Sequence, residues 1–203
     1  MTKYGIYIIE SLRENDYFEG ENLCEILKYS LVESKYKFVE SKDDFERAIN
    51  DFNKSNFRYL YISCHADENG FEINGDEITN IEFMQITKNC LINKRIFLSA
   101  CKGANDQLAS YLITQNKAYS LIGVPANIDV DKSALFWPLF FHVINEVDDE
   151  KMKRKSIVSV IKKLVKLLNI PISYYSKIKK KDHLRRLNIT NYEIKNEEIK
   201  AIQ

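Results

Sequence analysis

Two apolar runs of this chain end in side chains able to do acid, base or nucleophilic chemistry. Residues 59–65 read YLYISCH and deliver Cys64 and His65, while residues 95–101 read RIFLSAC and deliver Cys101. A thiol attacks a carbonyl carbon as its thiolate. A neighbouring imidazole can take the thiol proton and later return it to a leaving amine. In that chemistry Cys101 is the nucleophile and His65 the general base and acid. Backbone N–H groups at Ala66, just after the histidine, and at Cys101 itself are candidates for holding the oxyanion of a tetrahedral intermediate. Cys101 is followed by KGANDQLASYLI, where Gly103 permits a turn and a helix starts soon after. The sulfur is therefore expected near the positive end of a helix dipole.

Plainer roles compete at each position. A cysteine at a strand end is often a small buried hydrophobe. Cys64 precedes His65, so strand alternation turns it to the opposite face and into the core. Cys24 and Cys90 read as core residues on helix faces, His142 in FWPLFFHVI as a packed helix residue, and His183 as part of a basic tail. No standard metal-ligand spacing links Cys64, His65, Cys90 and Cys101, so no metal is assigned.

The elements that must position these groups alternate. β-rich runs occur at 4–10, 36–40, 58–64, 95–100 and 119–124, with helical patterns over 42–54, 104–116 and 131–146 between them. In the first helix Phe45, Ala48, Ile49 and Phe52 share one face, and Ser41 is a plausible N-cap. This alternation predicts an α/β fold with a mainly parallel central sheet covered on both faces. Asn74-Gly75 lies between β-prone triplets and predicts a small antiparallel hairpin after the histidine strand. In open α/β sheets functional groups gather at the carboxyl ends of strands. If the two apolar strands are neighbours, His65 and Cys101 face one cleft.

Composition sets the wider limits. The 203 residues are 45% hydrophobic and 29% charged with a net charge of +1, which fits an ordinary globular core and gives no global pull toward nucleic acid. No apolar run approaches the roughly 20 residues needed to cross a bilayer, so no membrane role is expected. The start, MTKYGIYIIES, reads as a first strand and not as a secretory signal. Four cysteines without a CxxC pair favour free thiols in a reducing cytoplasm. The composition changes near residue 150: between Lys151 and Arg186 there are thirteen Lys/Arg and one acid, Asp182. We therefore expect a core over residues 1–150 and a basic helical C-terminal extension over 151–203, packed on the core or extending from it. The basic 151–186 stretch is either the solvated face of a last helix or a surface for an acidic partner or nucleic acid.

An apolar block ending in His, followed by one ending in Ala-Cys, resembles the signature of the caspase-like cysteine peptidases. YLYISCHA and RIFLSACKG are most similar to the CHAT and separase branch, and the likeness spans roughly residues 4–147. It implies a caspase-like three-layer αβα sandwich and a His65/Cys101 dyad that needs no cofactor. In such relatives an acid in the loop after the next strand lines the S1 pocket and selects a basic residue; here that loop holds Asp129 and Asp131. Either may instead cap the following helix. Two positions depart from the family pattern: Ala66 stands where glycine is usual, and Ile128 where tryptophan is. A positive φ at Ala66 would be costly. The resemblance implies a cysteine endopeptidase cleaving a protein after Arg or Lys, an effector of a prokaryotic stress, defence or cell-death system under a separate regulatory protein partner. The alternative is a weakly active or inactive interaction module of the same fold.

Overall fold

The central strands are near-continuous apolar runs because both of their faces are covered. In the computed structural model, which describes residues 3–149, 151–180 and 182–202, every side chain of Arg95–Ser99 is buried. The elements in chain order are β1 (Lys3–Ser11), α1 (Glu19–Tyr29), β2 (Ser34–Phe38), α2 (Lys42–Ser55), β3 (Phe57–Ala66), β4 (Gly70–Ile73), β5 (Asp76–Thr79) and α3 (Asn80–Ile86). There follow β6 (Arg95–Ser99), α4 (Asp106–Ser110), β7 (Ser120–Gly123), α5 (Val130–Val147), α6 (Arg154–Leu168), β8 (Ile172–Lys177), β9 (His183–Ile189) and β10 (Ile194–Lys200). The pattern over 104–116 is only partly α-helical, since α4 continues as a π-helical turn, Tyr111–Gln115.

The sheet order is β10-β9-β8-β7-β6-β3-β1-β2. From β2 to β7 all pairs are parallel; from β7 outward β8, β9 and β10 pair antiparallel. Alternation along each strand sends side chains to two cores. Ile62, Cys64, Leu98 and Leu121 meet α2, α3 and α4 on one face. Tyr61, Phe97, Ile122 and Tyr174 meet α1, α5 and α6 on the other. The architecture is thus α/β, a sheet between two helical layers.

Local signals act as the chain chemistry predicts. Ser41 caps α2 by accepting from the Asp44 N–H at 3.2 Å. The Asn74-Gly75 turn has both residues at positive φ, 48° and 93°, which matches the twist of the β4–β5 hairpin it closes. That hairpin pairs with β3 immediately at His65. The helical expectation for 151–203 holds for α6 alone. β8, β9 and β10 continue the same sheet, because Tyr174, Leu187 and Ile189 are buried on one face and Tyr175 and Leu184 on the other.

Candidate active site

Parallel pairing of β3 and β6 runs from Tyr59–Arg95 to Ser63–Ser99. His65 and Cys101 lie two positions beyond that last pair, so they leave the sheet level with one another on strands spaced about 4.8 Å apart. His65 shares strand parity with Tyr61 and Ser63 and so belongs to the α1/α5 face. Cys101 is partly exposed, in the turn after β6, and its Sγ lies 4.0 Å from the Ile128 carbonyl oxygen. Ile128 packs on the same α1/α5 side. The two side chains therefore occupy one end of the sheet and one side of it.

His65 is held by a group that the sequence patterns do not single out. Its Nε2 lies 2.8 Å from Oδ2 of Asp16, in the loop between β1 and α1. The His65 hydrogen bond, with a second from the Arg13 N–H, holds the Asp16 carboxyl below its ordinary range. An ionised carboxylate can only accept, so Nε2 is the donor in this bond, and in the neutral imidazole the lone pair then falls to Nδ1. Asp16 thereby selects the tautomer a general base requires. The same loop is anchored to the hairpin by Arg13, whose guanidinium makes bonds of 2.8–3.1 Å to the Glu72 carboxylate, and Glu72 is the register partner of His65.

One row deeper lies a buried acid network. Glu19 opens α1 and is almost wholly enclosed; its Oε1 accepts from Tyr61 Oη at 2.9 Å and Ser63 Oγ at 3.0 Å. Ser99 and Ser133, 2.6 Å apart, also hydrogen-bond to it, yet burial outweighs these bonds and raises its pKa. Glu10, at the end of β1, receives the Gly20 and Glu21 N–H groups at 2.6 and 3.2 Å. It supplies the cap that Phe18 cannot, and a Cβ on Gly20 would come 3.0 Å from its carboxylate oxygen. Five elements thus meet beneath His65 and Cys101 through polar bonds. A carboxylate closing the run IYIIE was the signal available for Glu10; Glu19 has no comparable flag.

The loops carrying His65 and Cys101 are tied together directly. Asn105 caps α4 by accepting from the Leu108 N–H at 2.9 Å, and its amide donates to the Glu68 carbonyl at 3.2 Å. Asp67 closes the histidine loop by accepting from the Asn69 and Gly70 N–H groups. Helix α4 begins only at Asp106, with Asn105 already bonded to its first turn. The dipole expected to act on Cys101 therefore starts five residues away and is partly satisfied by that cap. Ala66 has no positive φ, so alanine here carries no backbone strain.

The remaining predicted residues lie elsewhere. Asp129 is the N-cap residue of α5 by position, is mostly exposed and pairs with Lys132 at 2.6 Å. Asp131, in the first turn of α5, borders a shallow depression with Tyr17, Leu135 and His142. Neither lines the cavity of about 310 Å³ that runs from His65 along the hairpin, and neither does Cys101. Three acids, Asp67, Glu72 and Glu77, do line it. Cys64 is core as its parity requires, and burial pushes its thiol pKa up. Cys24 sits on α1 as expected, but Cys90 is buried in the turn after α3. His142 is exposed beside Glu146 and is not packed, and His183 opens β9. Among the described residues no helix is long and apolar enough to cross a membrane.

A scan against protein-family models finds no match to this chain, and a comparison with curated proteins finds none either.

Proposed function

We propose that the chain is a cysteine endopeptidase of caspase-like fold, with Cys101 as nucleophile and His65 as general base and acid. The observation that carries this reading is the register of β3 on β6, which brings both residues level at neighbouring strand ends on one side of the sheet. His65 Nδ1 takes the Cys101 proton as sulfur attacks the scissile carbonyl carbon. The same proton passes to the leaving amine as the C–N bond breaks, leaving a thioester that water hydrolyses with His65 again as base. Asp16 stabilises the transient imidazolium. The Ala66 and Cys101 N–H groups are the proposed oxyanion donors. A basic side chain is the proposed specificity element, supported by the acids along the histidine groove, with Asp129 and Asp131 at the start of α5 as a second acidic source.

The test uses fluorogenic peptides ending in Arg or Lys, alongside a peptidyl acyloxymethyl ketone. We expect the ketone to label Cys101 in preference to the buried Cys24, Cys64 and Cys90, and we expect Cys101→Ala to abolish cleavage. Cleavage that survives Cys101→Ala, or labelling that ignores Cys101, would overturn the assignment.

A further inference from the structure

At the opposite end of the parallel strands, where β6 and β7 begin and β8 ends, lies a separate cavity of about 620 Å³. Two of its lining residues, Ser176 and Arg185, belong to one row of the sheet, in which register pairs Arg95 with Ser120, Ser120 with Ser176, and Ser176 with Arg185. Paired residues project from the same face. It is the α6 face, because Phe97, Ile122, Tyr174 and Leu187, two positions along each strand, all belong to that core. The helix arrives over this row by its first residue: the Arg154 guanidinium lies 5.9 Å from the centre of the Tyr174 ring.

Two independent features of the cavity call for an anion. Lys117, Arg154, Lys177, Lys179 and Arg185 line it and no acid does. Among the described residues no ion pair engages Lys117, Lys177 or Lys179, whereas the adjacent Lys180 is paired with Glu198 at 2.9 Å. Ser176 is only 5% exposed, and among the described residues neither its Oγ nor the buried Nε of Arg154 has a hydrogen-bond partner. A buried polar group left unpaired costs stability that an incoming acceptor would restore. The N-terminus of the fifteen-residue α6 adds little to this, because the Asp148 carboxylate already accepts from the Lys153 N–H at 2.7 Å and from Ser156 Oγ at 3.0 Å.

The rim has a different chemistry. Tyr119 and Ile92 are 53% and 43% exposed, and Tyr119 is braced by the Arg95 guanidinium 4.4 Å from its ring centre. Arg95 is fixed in turn by Ser120 Oγ at 2.9 Å and Tyr174 Oη at 3.1 Å. A stiff aromatic edge beside a cationic floor suits a flat heterocycle joined to phosphates. The volume is that of a small-ligand site. Glu197 and Glu198 border the neighbouring depression and interrupt the basic surface, which disfavours the continuous track a nucleic-acid strand needs.

We propose that this cavity is a nucleotide-binding site, with the phosphates on Arg154, Arg185 and Ser176 and the base against Tyr119. The site is independent of the peptidase reading. The test is calorimetric titration of the full chain with the four ribonucleoside triphosphates, with tripolyphosphate and with a nucleoside alone. We expect saturable one-to-one binding of at least one triphosphate, about tenfold weaker binding of tripolyphosphate, and little binding of the nucleoside. Arg154→Gln and Arg185→Gln should each weaken binding about tenfold or more, while Lys54→Gln on the distant α2 surface changes nothing. Circular dichroism checks that each variant is folded. Absence of triphosphate binding, equal affinity in both arginine variants, equal binding of tripolyphosphate, or affinity that climbs with the length of a single-stranded oligonucleotide would each overturn the proposal.

Discussion

Lys94 offers the cleanest quantitative test of the forces in this fold. It sits in the turn leading into β6 and is only 4% exposed. Its Nζ donates to the Phe52 carbonyl at 3.4 Å and lies 3.9 Å from the centre of the Phe52 ring. No carboxylate among the described residues pairs with it, and burial lowers its pKa from 10.5 to about 8. At about 1.4 kcal/mol per pH unit, that drop corresponds to about 3 kcal/mol against the charged form. The ammonium–ring contact returns about 1 kcal/mol of this, leaving a net cost of about 2 kcal/mol. Lys94→Met keeps the stem and removes the charge, so at pH 7 the variant should be more stable by about 2 kcal/mol. For a chain of this length that is a rise in Tm of about 4–8 °C. The pH dependence has a definite sign. The folded pKa of this base lies below its unfolded value, so the penalty is complete below pH 8 and disappears as pH rises from about 8 to 10.5. Urea unfolding of both proteins at pH 7 and pH 10 measures it. A variant less stable at pH 7, or a gap as wide at pH 10 as at pH 7, would refute the reasoning.

Two further outcomes follow from the polar groups around the proposed dyad. Asp16→Asn should slow alkylation of Cys101 by a small electrophile about tenfold at pH 7, through loss of a charge-assisted bond to His65, and Asp16→Glu should recover part of the rate; an unchanged rate and pH profile would remove Asp16 from the site. For Glu19, whose folded pKa is raised by burial, stability is lost as pH climbs from the ordinary carboxylate range toward the folded value. Glu19→Gln should therefore gain on the native protein as pH rises from 5 to 8, and a constant difference in Tm would show that Glu19 does not carry this cost.

Much of the site's framework could be read from local pattern. The β3 run, the Asn74-Gly75 turn, the Ser41 cap and the inward parity of Cys64 each depend on residues close in sequence, where alternation and turn chemistry dominate. Asp16 could not be read this way, because its bond to His65 joins residues 49 apart and depends on how the β1–α1 loop folds back. Glu19 was hidden for a related reason: an acid opening a helix normally marks solvent, and only the convergence of β3, β6 and α5 buries this one. The C-terminal strands were masked by composition. HLRRLNI and IKNEEIK mix charged residues with apolar ones, so the charge count of the region obscured the buried Leu184, Leu187 and Ile189. The Cys90 placement failed because α3 stops at Ile86, before the apolar pattern does.

The antiparallel strands also have a kinetic meaning. β7 is four residues long and buried throughout, and its outer edge is closed only by β8, some fifty positions later in the chain. β8, β9 and β10 are joined by short turns, so their own pairing is local and fast, whereas docking β8 onto β7 closes a long loop. During synthesis the parallel strands emerge first and wait with an apolar, unpaired border until the last segment arrives. Closure of the β7 edge thus waits on residues 172–177, far along the chain from the side chains that would do its chemistry.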